Sequence, residues 1–199
     1  MQLINEIKNL ERSEIKEVVE KRLNEFKELG KNWFSELCFC ILTANSKAET
    51  ALKVQKELGY YGFSSMPRKE IAECIKRNKH RFHNNKAKYI VEARKFKNIQ
   101  EIVLREKEAR EWLVENVKGL GYKEASHFLR NVGYENYAIL DRHILNLMKE
   151  NGMINDVKLG KKNYLEIEKK FLELAKKTGM SAAKLDLYMW FMRTGKVLK

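Results

Sequence analysis

Proline, cysteine and long apolar runs are scarce in this sequence, and each scarcity argues against a class of protein. Pro67 is the single proline, and the three cysteines are Cys38, Cys40 and Cys74. An odd, sparse set of cysteines argues against a disulfide framework and favours a reducing compartment, so we expect a cytoplasmic protein. No run of about 18 apolar residues is present, so we expect no membrane span. The charged N-terminal stretch lacks the apolar core of a signal peptide.

The cysteines do not form a metal-binding pattern. Cys38 and Cys40 lie in one apolar run, and no further set of Cys or His ligands is near them in the sequence. We therefore interpret these thiols as small core residues. We expect neither a metal nor another cofactor.

Positive charge is abundant. The 199 residues contain 40 Lys+Arg against 27 Asp+Glu, which gives a net charge of +13. Such a balance favours a polyanionic partner, and nucleic acid is the commonest one. The alternative is a solvated, Lys- and Glu-rich surface of the kind found in proteins from hot environments.

The hydrophobic pattern is helical almost throughout and predicts an all-α fold. Convincing β alternation is absent, and glycines separate the periodic segments. Asp141 and Ser181 have the residue types and positions of helix N-caps. The pattern predicts helices over 2–29, 32–44, 47–58, 68–77, 84–94, 98–103, 106–117, 122–132, 141–151, 161–178 and 181–193.

The segment "VENVKGLGYKEASHF" predicts a tight turn between two helices, and Gly119 and Gly121 lie in that turn. Glycine lets the backbone take a positive φ or approach another molecule closely. Unpaired N–H groups at the start of the second helix would attract a phosphate, so the turn is a candidate clamp for a DNA backbone. An ordinary helix-ending glycine pair is the alternative.

Lys123 and Asp141 are the candidate reactive groups. Lys123 follows the turn at the start of a helix, where the helix dipole disfavours the ammonium form and a neutral amine is a nucleophile. Asp141 would stabilise a cationic sugar or orient that amine, in addition to capping a helix. Chance placement of a lysine in a lysine-rich chain, and a purely capping aspartate, are the alternatives.

Together, Gly119-Leu120-Gly121, Lys123 and, eighteen residues later, Asp141 resemble the helix-hairpin-helix/Gly-Asp signature of base-excision DNA glycosylases. A lysine at this hairpin position marks the bifunctional members. Segments 36–51, 81–94 and 185–199 are similar to the archaeal-type, or type 2, 8-oxoguanine DNA glycosylases. The absence of Cys after Cys74 rules out the four-cysteine iron–sulfur loop of endonuclease III-type relatives.

The resemblance implies two closely packed helical subdomains with a DNA-binding cleft between them. A central barrel subdomain would span 31–135 and end in the hairpin, 106–132. Residues 1–30 and 136–199 would form the second subdomain. The resemblance covers most of residues 30–199.

The resemblance also implies roles for residues that contact DNA or the damaged base. Asn45 would fill the gap left by an extruded base, and Arg81 and His83 are candidates to contact the orphaned cytosine. Trp190 would stack on the base, and the main-chain carboxylate of Lys199 would accept from its N7–H. The alternatives are a solvated or phosphate-binding Arg81, a core Trp190 and a frayed terminus.

The implied function is excision of 8-oxoguanine from double-stranded DNA by a monomer. Lys123 would attack C1′ to form a Schiff base, Asp141 would assist, and β-elimination would follow. Two alternatives remain open: a glycosylase and lyase for another oxidised base, or a non-catalytic helix-hairpin-helix DNA-binding protein. A basic scaffold for an acidic protein is a third, weaker one.

Overall fold

A computed structural model of the chain describes residues 2–28, 30, 32–156 and 160–199. The secondary structure of these residues is helical, which confirms the predicted all-α class. The elements are α1 Gln2–Glu11, α2 Ile15–Lys27, α3 Trp33–Thr43, α4 Ala48–Ser65, α5 Arg68–Arg77, α6 His83–Ala93, a 3-10 segment Arg94–Phe96, α7 Ile99–Arg105, α8 Ala109–Asn116, α9 Tyr122–Asn131, α10 Arg142–Glu150, α11 Lys161–Thr178 and α12 Ala182–Thr194.

The chain divides into two compact units. The middle unit is Leu29–Phe128, and the terminal unit combines Met1–Glu28 with Leu129–Lys199. The predicted boundaries at 30/31 and 135/136 stay a prediction, and the predicted domain start, residue 31, lies outside the described residues. Along the described chain, no helix is both long enough and apolar enough to cross a membrane.

The predicted helix over 2–29 is wrong, because two helices occupy this stretch. Ser13 lies between α1 and α2, where its hydroxyl donates to the carbonyl of Leu10 at 2.7 Å and accepts from the amide of Ile15 at 3.3 Å. A serine that bonds its own neighbouring backbone competes with the helical ladder, so the helix breaks there. The predicted end of the helix, Leu29, lies outside the described residues.

The predicted end of a helix at residue 58 is confirmed by a break in the helical backbone at Gly59. α4 continues to Ser65 across a kink at Gly59, whose φ of 57° and ψ of −168° are not helical. Glycine adopts this backbone conformation without steric cost, so the regular helix ends before it, and the helical stretch from there to Ser65 is what the sequence pattern did not predict. The guanidinium of Arg94 then donates to the carbonyls of Phe63 and Met66 at the end of the helix.

In the middle unit, α3 is buried along its whole length and packs against α4, α6 and α7. Its thiols, Cys38 and Cys40, are buried and free of disulfides, which confirms their interpretation as core residues. Because α3 is enclosed on all sides, the positions of its neighbours are fixed by packing on one apolar helix.

In the terminal unit, the mostly buried helix α12 packs against α1, α2, α10 and α11. Its buried acid, Asp186, pairs with Arg130 of α9 at 2.5 Å, and both side chains are almost fully buried. The guanidinium of Arg130 also donates to Asn131 Oδ1 at 3.1 and 2.9 Å and lies 5.0 Å from the ring centre of Phe26. Arg130 thus ties α9, α12 and α2 together.

Candidate active site

The predicted helical hairpin is present, with α8 and α9 joined by a tight turn. Gly119 has a φ of +91°, and a Cβ there would lie 2.7 Å from Cδ2 of Tyr89 on α6. Both the backbone conformation and the close approach of Tyr89 therefore require glycine. Leu120 is buried at 6% exposure and anchors the turn.

Gly121 has a different role from Gly119. Its φ is not positive, and its amide donates to Glu124 Oε2 at 3.3 Å. A Glu at the third helical position that reaches back to the amide before the helix is half of a capping box. A phosphate bound at this amide would have to displace the carboxylate of Glu124.

Lys123 lies in the first turn of α9, and its side chain is 25% exposed. The amine Nζ is 2.9 Å from Glu124 Oε1. Glu124 therefore contacts the turn through one oxygen and the candidate nucleophile through the other. This ion pair holds the amine beside the hairpin within the middle unit.

Asp141, in the terminal unit, is both a helix cap and a partner of Trp190. Its Oδ1 accepts from the amide of Ile144 at 2.9 Å, which confirms the predicted N-cap of α10. Its Oδ2 accepts from Nε1 of Trp190 at 3.1 Å. Two directional hydrogen bonds thus fix the orientation of a half-buried carboxylate.

Trp190 is half-buried near the end of α12, and the ring of His143 meets it edge-on at 6.0 Å between centres. The structure thus brings together the two terminal-unit residues that were predicted to act on the sugar and on the base. Lys199, half-buried, lies beyond Gly195, where the backbone of α12 turns into the left-handed region.

A buried acid lies in the electrostatic neighbourhood of Asp141. Burial raises the pKa of Asp186 to about 7, the positive charge of Arg130 opposes this shift, and the charge of Asp141 adds to it. Arg130 therefore limits the negative charge that accumulates around Asp141.

Two loops of the middle unit carry the residues that were predicted to contact DNA. Asn45 is exposed with a φ of 58°, two residues after the end of α3. Arg81 is exposed, and its Nη2 donates to the carbonyl of Asn45 at 3.3 Å. His83 begins α6 and is half-buried. The structure therefore joins the Asn45 loop to the Arg81 loop.

Sequence reasoning missed Glu124 and Phe82. The spacing Gly121-x-x-Glu124 is the capping-box signal, and it could have identified the glutamate. Phe82 is 53% exposed, has a φ of 60° and lies beneath the guanidinium of Arg81 at 5.6 Å. An aromatic residue inside the polar run "KHRFHNN" was the available signal for it.

The described residues contain no group of three or more His, Cys, Asp or Glu side chains that could hold a metal ion. The prediction that the chain needs no metal or other cofactor stays a prediction.

Comparisons with known proteins identify the family of this chain. Residues 19–180 match the model of a family described as 8-oxoguanine DNA glycosylase. The 8-oxoguanine DNA glycosylase/AP lyase of Methanocaldococcus jannaschii is 51% identical, over all of both chains. The protein of that name from Korarchaeum cryptofilum is 42% identical, over 99% of this chain and 98% of the relative.

A solved structure is also similar over the full length. The crystal structure of the M. jannaschii 8-oxoguanine glycosylase/lyase in complex with a 15mer DNA containing 8-oxoguanine has a TM-score of 0.96, with 50% identity over 100% of both chains. On the family match and the full-length identity, this chain belongs to the 8-oxoguanine DNA glycosylase family.

Proposed function

We propose that Lys123 and Asp141 carry out the chemistry of an 8-oxoguanine DNA glycosylase and AP lyase. The chain is such an enzyme, as its full-length relatives of 51% and 42% identity are. The observation that carries the assignment of residues is Lys123 itself, a partly exposed amine in the first turn of α9, directly after the glycine turn.

The proposed reaction begins with extrusion of the damaged nucleotide from the duplex. The amine of Lys123 forms a bond to C1′ while the glycosidic bond breaks, and the bonding electrons leave with the base. The departing base takes up a proton from water, and transfer of a proton from the bound nitrogen to O4′ opens the sugar ring and gives a protonated Schiff base. Loss of a proton from C2′ then expels the 3′ phosphate by β-elimination and cleaves the strand.

Asp141 stabilises the positive charge that builds up on the sugar as the base departs. Its two hydrogen bonds, to the amide of Ile144 and to Trp190, support this role because a carboxylate with fixed oxygens needs little reorganisation in the transition state. The same contact holds the Trp190 ring, which we propose as the stacking surface for the extruded base.

The remaining contacts follow the same proposal. Asn45 enters the gap left by the base, Arg81 and His83 contact the orphaned cytosine, and the hairpin glycines Gly119 and Gly121 approach the DNA backbone. The main-chain carboxylate of Lys199 accepts from N7–H, which is present in 8-oxoguanine and absent in guanine. We expect the enzyme to act as a monomer.

Borohydride trapping on a duplex with 8-oxoguanine opposite cytosine tests the proposal. Reduction of the Schiff base links the enzyme covalently to DNA, so Lys123→Gln should abolish both trapping and excision while DNA binding is retained. Lys97→Gln, at an exposed lysine of the same unit, is the matched control and should trap as wild type does. Trapping of Lys123→Gln at the wild-type level would remove Lys123 from the mechanism.

The same assay on other oxidised bases tests the choice of lesion. Excision of 8-oxoguanine should exceed that of oxidised pyrimidines at equal enzyme concentration. The reverse order would assign the site to another lesion while leaving the lysine chemistry intact.

A further inference from the structure

The carboxyl end of α3 is held by side chains from outside the helix. The last carbonyls of any helix have no donor within it. Here Ile41 O accepts from Nζ of Lys86 at 2.6 Å, and Leu42 O is 2.6 Å from Nε2 of His80. Lys86 lies on α6 and His80 in the α5–α6 connection, and we call this pair the carbonyl clamp.

Both members of the carbonyl clamp are buried, Lys86 at 5% and His80 at 3% exposure. Burial lowers the pKa of Lys86 to about 8, the charge of Glu124 opposes this shift, and that of Lys123 adds to it. The side chain is therefore mainly an ammonium at neutral pH. A cation at a helix C-terminus is favoured by the dipole, and its hydrogen bonds are stronger than neutral ones.

His80 has a second contact, which extends the clamp to the next loop. Its Nδ1 meets the carbonyl of Arg81, while Nε2 meets that of Leu42. Each ring nitrogen therefore faces a carbonyl, one at the end of α3 and one in the α5–α6 connection, and at least one of the two nitrogens donates. Arg81 in turn donates to the carbonyl of Asn45 at 3.3 Å.

Backbone strain is concentrated beside the carbonyl clamp. Within the ranges that the structure describes, the non-glycine residues with positive φ are Asn45 at 58°, Lys79 at 58° and Phe82 at 60°. A left-handed conformation is unfavourable for residues with a Cβ and persists only where surrounding contacts impose it. Asn45 follows the end of α3 that Lys86 and His80 hold, and Lys79 and Phe82 lie in the segment of His80 and Arg81, whose guanidinium reaches Asn45 O.

These loops carry side chains that face outward. Asn45, Arg81 and Phe82 are exposed, while the clamp beneath them is buried. We propose that Lys86 and His80 are positioning residues for base extrusion, joining loops 44–47 and 78–82 into one rigid element that enters the duplex. This inference rests on the proposed function, since it assigns the clamp to the step before attack by Lys123.

Substrates that differ only in the cost of extrusion test the inference. Single-turnover excision is measured on a fully paired 8-oxoguanine duplex and on one with the lesion in a short mismatched bubble. Borohydride trapping is measured on a duplex with a preformed abasic site, from which no base is extruded. The variant is Lys86→Met, and Lys88→Met, at an exposed position on the same helix, is the matched control.

On the paired duplex, Lys86→Met should excise about tenfold or more slowly than wild type, because hydrogen bonds from a charged donor are lost. On the bubble and on the abasic duplex it should stay within about twofold of wild type, since extrusion there costs little. Lys88→Met should match wild type on all three substrates. A merely structural role of Lys86 would lower all three activities together.

An equal loss on the three substrates, or no loss on any, would overturn the inference. If the wild-type enzyme neither excised 8-oxoguanine from the two lesion duplexes nor was trapped on the abasic duplex, the proposed function would be contradicted instead. Should Lys86→Met fail to fold by circular dichroism, His80→Phe replaces it, because phenylalanine keeps a ring but has no nitrogen to contact Leu42 O or Arg81 O. The same selective loss is expected, and its absence would overturn the inference.

Discussion

Replacing Trp190 with phenylalanine separates the orientation of Asp141 from the stacking of the base. Phenylalanine retains an aromatic face but has no N–H, so the 3.1 Å hydrogen bond to Asp141 Oδ2 is lost. The bond from the amide of Ile144 to Oδ1 remains, and the N-cap of α10 with it. We therefore expect Trp190→Phe to slow excision while the protein stays folded.

The size of the effect follows from the nature of the lost bond. A hydrogen bond to a charged acceptor contributes about 1.5–3 kcal/mol, and because both residues are half-buried we expect the lower end. A loss of about 1.4 kcal/mol of transition-state stabilisation slows a reaction tenfold, so we expect Trp190→Phe to excise about tenfold more slowly than wild type. Asp141→Asn, which removes the charge, should slow excision by roughly 100-fold or more.

Single-turnover excision of 8-oxoguanine under enzyme excess is the appropriate assay, because it isolates chemistry from product release. Trp190→Ala is the companion variant and should lose more activity than Trp190→Phe, since it removes both the hydrogen bond and the ring. If Trp190→Phe excises at the wild-type rate and Trp190→Ala does not, only the ring matters. Orientation of Asp141 by Trp190 would then be refuted.

Four further predictions concern stability and selectivity. Gly119→Ala should lower the free energy of unfolding in urea by about 1–3 kcal/mol, because φ is +91° and Tyr89 is too close; an unchanged midpoint would contradict this. Arg130→Met should lower the free energy of unfolding by about 3–5 kcal/mol, because the buried carboxyl of Asp186 loses its partner. Adding Asp186→Leu should restore most of that stability, and a double variant as unstable as Arg130→Met would show that the lost ion pair is not the cause. The pKa of Asp186 is raised from 3.8 to about 7, so the folded state binds this proton more tightly than the unfolded state does. The free energy of unfolding should therefore fall as pH rises from about 4 to about 7. In Asp186→Asn, chemical denaturation across this pH range should show a smaller fall. Deleting Lys199 should reduce the excision ratio of 8-oxoguanine to guanine, and an unchanged ratio would exclude the terminus from the pocket.

Local signals predicted the elements of the fold well. The N-caps at Asp141 and Ser181 are confirmed, since each side chain accepts from the amide three residues on. The break inside 2–29 and the helical stretch after Gly59 were missed. At Ser13, apolar periodicity continues while one side chain diverts the backbone, so the outcome depends on a local competition that periodicity does not register.

The candidate site could be predicted only as far as local spacing reaches. Lys123 was identifiable because the glycine turn precedes it directly. The hydrogen bond between Trp190 and Asp141 joins residues 49 positions apart, and that between Lys86 and Ile41 joins residues 45 apart. Such contacts depend on how helices pack, which sequence periodicity alone does not specify.

The buried cysteines bear on how such an enzyme withstands oxidising conditions. 8-Oxoguanine is an oxidised base, so the conditions that produce the substrate are oxidising. Burial raises the pKa of Cys38 well above its usual range and that of Cys74 to about 11, and Cys40 is buried as well. Thiolates, not thiols, are oxidised readily, so Cys38 and Cys74 should resist the sulfenic acid formation that would disturb the packing around them.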